Sequence, residues 1–149
     1  MRSENIYGQL TLRQDYPPGF LKTISGNRPF QWEGVPARGR SGGILVGINT
    51  DSYDVTDKKF GTYFVSLTIV NKTDNFAWQL VVVYGDAQND GKAIFLIELV
   101  HVIRASKLPI VIAGDFNMTR KDSEKNKPGG YNRWSPLFNA VIEIGRAHV

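Results

Sequence analysis

No cysteine occurs in the 149 residues. That excludes disulfide bonds, thiol nucleophiles and zinc sites built on sulfur, and it fits a reducing compartment. Histidine is nearly absent as well, with only His101 and His148. Glu98 and His101 would sit three apart on the outer side of a helix, and with no second histidine to support a ligand role His101 reads as a surface residue. No apolar run reaches the 18 or so residues a membrane-spanning helix needs. Met1-Arg2-Ser3-Glu4-Asn5 lacks the apolar core of a secretory signal. Without such a signal the Asn71-Lys72-Thr73 sequon carries no expectation of glycosylation. Internal repeats, low-complexity tracts and domain linkers are also missing.

What remains is an ordinary globular composition, 42% hydrophobic and 21% charged. The length suits one domain with a real core. Eighteen basic against fourteen acidic residues give a net charge of +4, a mild push toward a polyanionic partner. Arg38 and Arg40 stand in a loop with no acid, Val35 to Ser41. Lys121, Lys125 and Lys127 stand in a second polar loop, Met118 to Gly130. Solvated loops account for both, and both could also track a phosphate backbone.

The hydrophobic pattern divides the chain. Up to about residue 40 it is irregular, punctuated by Pro17-Pro18-Gly19 and Gly26-Asn27-Arg28-Pro29. Phe20 to Ile24 reads as one or two helical turns between them. Phe30 and Trp32 alternate with polar neighbours, a weak strand signal. Three apolar segments then read as consecutive strands of a mostly antiparallel sheet: Gly43 to Ile48, Tyr63 to Val70 with Ser66 and Thr68 on one face, and Ala77 to Tyr84. Asn71 to Asn75 should turn the chain between the last two. Lys92 to Ser106 reads as a helix, with Phe95, Leu99 and Val102 sharing a face and Leu96, Val100 and Ile103 another. Lys107-Leu108-Pro109 stops it and launches a further strand. Trp134 and Phe138, four apart, suggest a short helix packed on the core, and Trp32, Trp78 and Trp134 all read as core residues.

That last strand delivers Gly114-Asp115-Phe116-Asn117. In an extended segment the side chains of Asp115 and Asn117 would share a face. A carboxylate can take a proton or hold a nucleophile, and a carboxamide can donate to developing negative charge. Asp and Asn also close strands with turns bonded to their own backbone. Spacing alone leaves both readings open. Tyr84, at the end of another apolar strand, has the same two readings: phosphate contact, or a ring on the core with its hydroxyl in water.

Four blocks taken together resemble the endonuclease/exonuclease/phosphatase superfamily, the fold of DNase I and of abasic-site endonucleases. They are Ser41 to Asn49, Val82-Val83-Tyr84-Gly85, Ile112 to Asn117, and Trp134 with Phe138-Asn139. The similarity runs from about Asp15 to Glu143. Within the superfamily it is nearest to the apurinic-endonuclease-like domain of plant LINE-type (non-LTR) retrotransposons. The resemblance implies an α+β fold, a two-sheet sandwich of the DNase I-like type, truncated here at both ends. It implies a Mg²⁺-dependent phosphodiesterase that nicks target DNA, in a nuclear parent polyprotein that also carries a reverse transcriptase. On matching positions Asp115 would serve the attacking water, Asn117 the nucleophile or phosphate, and Tyr84 a phosphate oxygen. Arg40, Lys121 and Lys125 would be candidates for the DNA backbone.

Departures from the pattern change the expectation for this chain. The family's metal-binding glutamate falls on Leu10 within Gln9-Leu10-Thr11, and Leu10 has no oxygen for a hard cation. The family's first strand should precede Met1, and its closing Ser-Asp-His segment should follow Val149. Asp86 stands where relatives carry proline, placing a carboxylate beside a phosphate site. Ile144 to Val149 resembles the translation of a sequencing adapter, so the native reading is expected to end near Glu143, with 144–149 foreign. The expectation is an impaired enzyme or none. The alternatives are a non-catalytic basic nucleic-acid-binding remnant and a pseudogene product.

Overall fold

The computed structural model describes residues 6–11, 19–37, 42–118 and 134–148. Its elements run β1 (Ile6–Thr11), α1 (Phe20–Ser25), β2 (Phe30–Val35), β3 (Gly43–Asn49), β4 (Tyr53–Phe60), β5 (Phe64–Asn71), β6 (Ala77–Tyr84), α2 (Asn89–Ala105), β7 (Ile110–Asp115) and α3 (Trp134–His148). They form a three-stranded sheet in the order β1-β3-β2 and a four-stranded sheet in the order β4-β5-β6-β7. All pairings are antiparallel except β6 with β7.

Alternation of side chains along each strand builds two cores. Ile44, Val46 and Ile48 of β3 meet Val65, Leu67 and Ile69 of β5, and Trp78, Leu80 and Val82 of β6, between the sheets. The opposite face of β6 sends Val81 and Val83 against Phe95, Leu99 and Ile103 of α2 and Phe138 and Val141 of α3. β6 is therefore buried on both faces, which is why its sequence is a continuous apolar run. The indole of buried Trp78 donates to Asn71 Oδ1 at 2.8 Å, and Trp32 stacks on Phe30 with ring centroids 5.7 Å apart.

Two expectations need correcting. Gly43–Asn49 does not precede Phe64–Asn71 in one sheet; it is the centre of the other sheet, paired to both β1 and β2. The strand that does border β5 is β4, which the apolar pattern does not reveal. Asp54, Asp57, Lys58 and Lys59 occupy it, most of it is exposed, and its register shifts between Val55 and Asp57. Charge and a bulge are how an edge strand resists further pairing. The β5–β6 pair is antiparallel as expected, and β7 adds in parallel because α2 carries the chain back along the sheet. The helix at the end of the chain is 15 residues rather than short.

Candidate functional site

Parallel pairing of β6 and β7 sets the site. The register aligns Tyr84 with Asp115, so two polar residues stand at neighbouring positions on adjacent strand ends, where open α/β sheets place their ligands. One more ladder bond, Gly85 N–H to Asp115 O at 2.7 Å, carries the pairing past the strands.

Each residue of Gly114-Asp115-Phe116-Asn117 has a separate physical task. Gly114 sits at φ +128°, and a Cβ there would lie 2.1 Å from the Val83 carbonyl oxygen. Only glycine permits that backbone at that distance. Asp115 is exposed, and its Oδ1 accepts the Asn117 amide at 2.9 Å. Phe116 anchors the turn among aromatic rings, 5.1 Å from the Phe138 centroid and 6.4 Å from that of Phe95. Asn117 takes a left-handed φ of 51°. Its Nδ2 donates to the Gly85 carbonyl at 2.5 Å. Lys92, in the first turn of α2, donates to the Asn117 carbonyl at 3.0 Å.

The shared extended face expected for Asp115 and Asn117 is therefore absent. The strand ends at Asp115 and the chain turns left-handed. What joins the two residues is an Asx turn, and the carboxylate and carboxamide remain at one strand end because of it. One amide hydrogen of Asn117 is committed to Gly85, and the other makes no hydrogen bond among the described residues.

Tyr84 is half-buried, its ring packed at the rim of the inter-sheet core. Gly42 makes room for it: a Cβ on Gly42 would lie 2.8 Å from Tyr84 Cζ and 3.1 Å from its hydroxyl. The glycine block before β3 thus orients the tyrosine at the end of β6, a link between segments 42 residues apart.

Asp86 is turned away from the site. Its Oδ1 accepts the Gln88 amide at 2.8 Å and its Oδ2 accepts the Tyr63 hydroxyl at 3.1 Å. It lies so close to Gly91 that a Cβ there would fall 1.8 Å from Oδ2. A carboxylate beside the first turn of α2 also complements the helix dipole. The Tyr63 phenol is pushed up to about 12, first by burial and then by the Asp86 bond. The carboxylate expected to crowd a phosphate is a structural group instead.

Glu98, expected on the outer side of the helix, is instead half-buried against the sheet. From the side of α2 its Oε1 accepts the Thr62 amide at 2.6 Å and holds the β4–β5 turn. Burial pushes its carboxyl above the ordinary range against the pull of the backbone bonds from Thr62 and Tyr63. Its Oε2 is buried with no hydrogen-bond partner. No spacing signal marks this role, since the contact spans 36 residues.

Among the described residues, the donors near Asp115 do not make up a Mg²⁺ site. Among the described residues no three His, Asp or Glu side chains come together. Asp86 is engaged elsewhere, and Asp115 alone is too few oxygens for a cation that needs near-octahedral oxygen coordination. Leu10 lies on β1 opposite Ile44, and β1 touches β7 across the layers. Leu10, the position the resemblance matched to a glutamate, thus belongs to a strand in contact with the one that carries Asp115. Arg40, Lys121 and Lys125 lie outside the described residues. No described helix is long and apolar enough to cross a membrane.

No family model and no curated protein matches the sequence. Solved structures do match in shape. An endonuclease/exonuclease/phosphatase family protein from Bacteroides thetaiotaomicron has a TM-score of 0.58 at 15% identity, over 76% of this chain and 49% of that one. Humanized D. rerio TDP2 has 0.57 at 12% identity, over 77% and 53%. ANGEL2, a 2′,3′-cyclic phosphatase in complex with adenosine-2′,3′-vanadate, has 0.58 at 17% identity, over 77% and 40%. This chain spans about half the length of these proteins. The fold is the two-sheet α+β sandwich of the DNase I-like type.

Proposed function

We propose that this chain is part of a DNA endonuclease domain of the LINE retrotransposon type, retaining the phosphate-facing end of the site and lacking the means to hold its metal. In this form it binds nucleic-acid backbone and does not cut it. The observation that carries the reading is the alignment of Tyr84 with Asp115 across the parallel β6–β7 pair, with Asn117 fixed beside them by Gly85 and Lys92.

The residues divide the work as follows. The Tyr84 hydroxyl and the second amide hydrogen of Asn117 donate to a phosphate oxygen. Asp115 would orient a water for in-line attack in a complete site. With leucine at position 10 and Asp86 bonded to Tyr63 and Gln88, no cluster of metal ligands stands beside Asp115 among the described residues to neutralise the charge that attack develops. Substitutions that disable one member of such a unit cost several orders of magnitude in rate. The net charge of +4 favours a polyanion over a small neutral substrate.

Fluorescence anisotropy with a labelled DNA duplex tests the reading. Binding should weaken steeply between 50 and about 200 mM salt, and Tyr84→Phe should reduce it a few-fold. Absence of binding at low salt, by a chain whose circular dichroism shows it folded, would overturn the proposal.

A further inference from the structure

The solvent side of α2 carries a pattern that neither core nor site uses. Its buried face is Phe95, Leu99 and Ile103. On the opposite side Asp90, Ile94, Ile97, His101 and Arg104 are all exposed, Ile94 and Ile97 each at 58%. Their steps of four, three, four and three residues are those of a coiled-coil seam. At 100° per residue they fall within one narrow stripe, about 21 Å long from Asp90 to Arg104. Leu137 of α3, exposed at 52%, flanks the stripe. It lines a groove of about 430 Å³ between the helices together with Ile97, His101 and Arg104.

The charges along this seam are ordered. An acid stands at its amino end, two isoleucines at its middle, and a histidine and an arginine at its carboxyl end. Neither Asp90 nor Arg104 takes part in an ion pair among the described residues. An antiparallel copy of the same helix is the complement. With a two-fold axis at Ile97, residue numbers of facing positions sum to 194. Asp90 then faces the partner's Arg104, Arg104 faces the partner's Asp90, and Ile97 meets the partner's Ile97. A parallel copy would set acid against acid and cation against cation.

We propose that the outer face of α2, flanked by Leu137, is a self-association surface, and that its occupant is a second copy of this chain packed antiparallel about Ile97. A two-fold interface must be self-complementary, and this stripe is, in both apolar content and charge. One helix pair with a flanking leucine is smaller than a standard stable interface, so the dimer is weak, with a Kd on the order of 10 to 100 µM. The seam lies on the side of α2 away from the sheet, so association leaves Tyr84 and Asp115 accessible.

Sedimentation equilibrium of the full chain from about 1 to 500 µM tests this, with circular dichroism confirming that each variant folds. The chain should show a monomer–dimer equilibrium. Ile97→Glu sets two carboxylates on the axis and should abolish it. Arg104→Asp replaces two attractive pairs by two repulsive ones and should raise Kd at least about tenfold. Adding Asp90→Arg to Arg104→Asp re-forms both pairs in reverse and should restore Kd to within about threefold. A monomer at every concentration would overturn the proposal. So would a dimer indifferent to Ile97→Glu, or a reversed pair that fails to recover association.

Discussion

Gly114→Ala is the substitution for which the geometry gives the firmest magnitude. Glycine at φ +128° tolerates a backbone that costs a side-chain-bearing residue about 1–3 kcal/mol. The second cost is contact. The new Cβ would lie 2.1 Å from the Val83 carbonyl oxygen and 3.0 Å from its carbon and nitrogen. These are backbone atoms, so no rotamer change relieves the overlap. β7 must move off β6, stretching the ladder at Val83–Gly114 and Tyr84–Asp115, at roughly 1 kcal/mol per weakened bond. Together these give a loss of about 3 kcal/mol. Urea unfolding followed through buried Trp78 should show the midpoint fall by about 1.5 M at a slope of about 2 kcal/mol/M. Gly19→Ala is the internal control: φ is +83° with nothing within 4 Å, so only a backbone cost of about 1–2 kcal/mol applies. Should the two substitutions cost the same, the close approach of β7 to β6 is not what the glycine serves.

Three further outcomes follow from individual bonds. Asn117→Ala removes the donor to the Gly85 carbonyl and places alanine at φ 51°, so urea unfolding should show a loss of about 2 kcal/mol, with Asn117→Gly recovering the backbone share. The Tyr63 phenol rises from an ordinary 10.0 to about 12, so the native state holds its proton longer than the unfolded chain. Its stabilisation is complete below pH 10 and lost as pH climbs through 10 to about 12; unfolding midpoints of Tyr63→Phe should lack that decline. Glu98 is likewise raised above its ordinary 4.5, so its contribution is greatest below that value and falls as pH rises through and beyond it. Glu98→Gln should flatten stability in that window, and an unchanged slope would mean the carboxyl is not responsible.

The sequence exposed whatever depended on local apolar pattern. Ala77–Tyr84 is a strand whose run of branched residues is packed between layers, Ile110–Asp115 is the edge strand beside it and holds only half-buried and exposed residues, and α2 shows its buried face at the expected spacing, beginning three residues before the periodicity does. β4 stayed hidden because an edge strand needs charges more than alternation. The sheet to which Gly43–Asn49 belongs could not be read, since an apolar run tells how buried a strand is and not which neighbours it pairs with. At the candidate site, the blocks singled out Tyr84, Asp115 and Asn117, and the structure brings those three to neighbouring strand ends. The bonds that fix them span 32 residues from Asn117 to Gly85 and 25 from Asn117 to Lys92, distances at which spacing carries no signal. Asp86 shows the converse: it is next to the site in sequence and bonded to Tyr63 in space.

The central claim is that Tyr84, Asp115 and Asn117 are assembled at the strand ends while, among the described residues, no set of metal donors is. Conversion of supercoiled plasmid to nicked circle in Mg²⁺ tests it most directly, using this chain, Leu10→Glu and Asp115→Ala, each shown folded by circular dichroism. The account predicts no nicking above background by the wild-type chain or by Asp115→Ala. Nicking by the wild-type chain that Asp115→Ala abolishes would show that the site works without its usual glutamate, and would contradict the account.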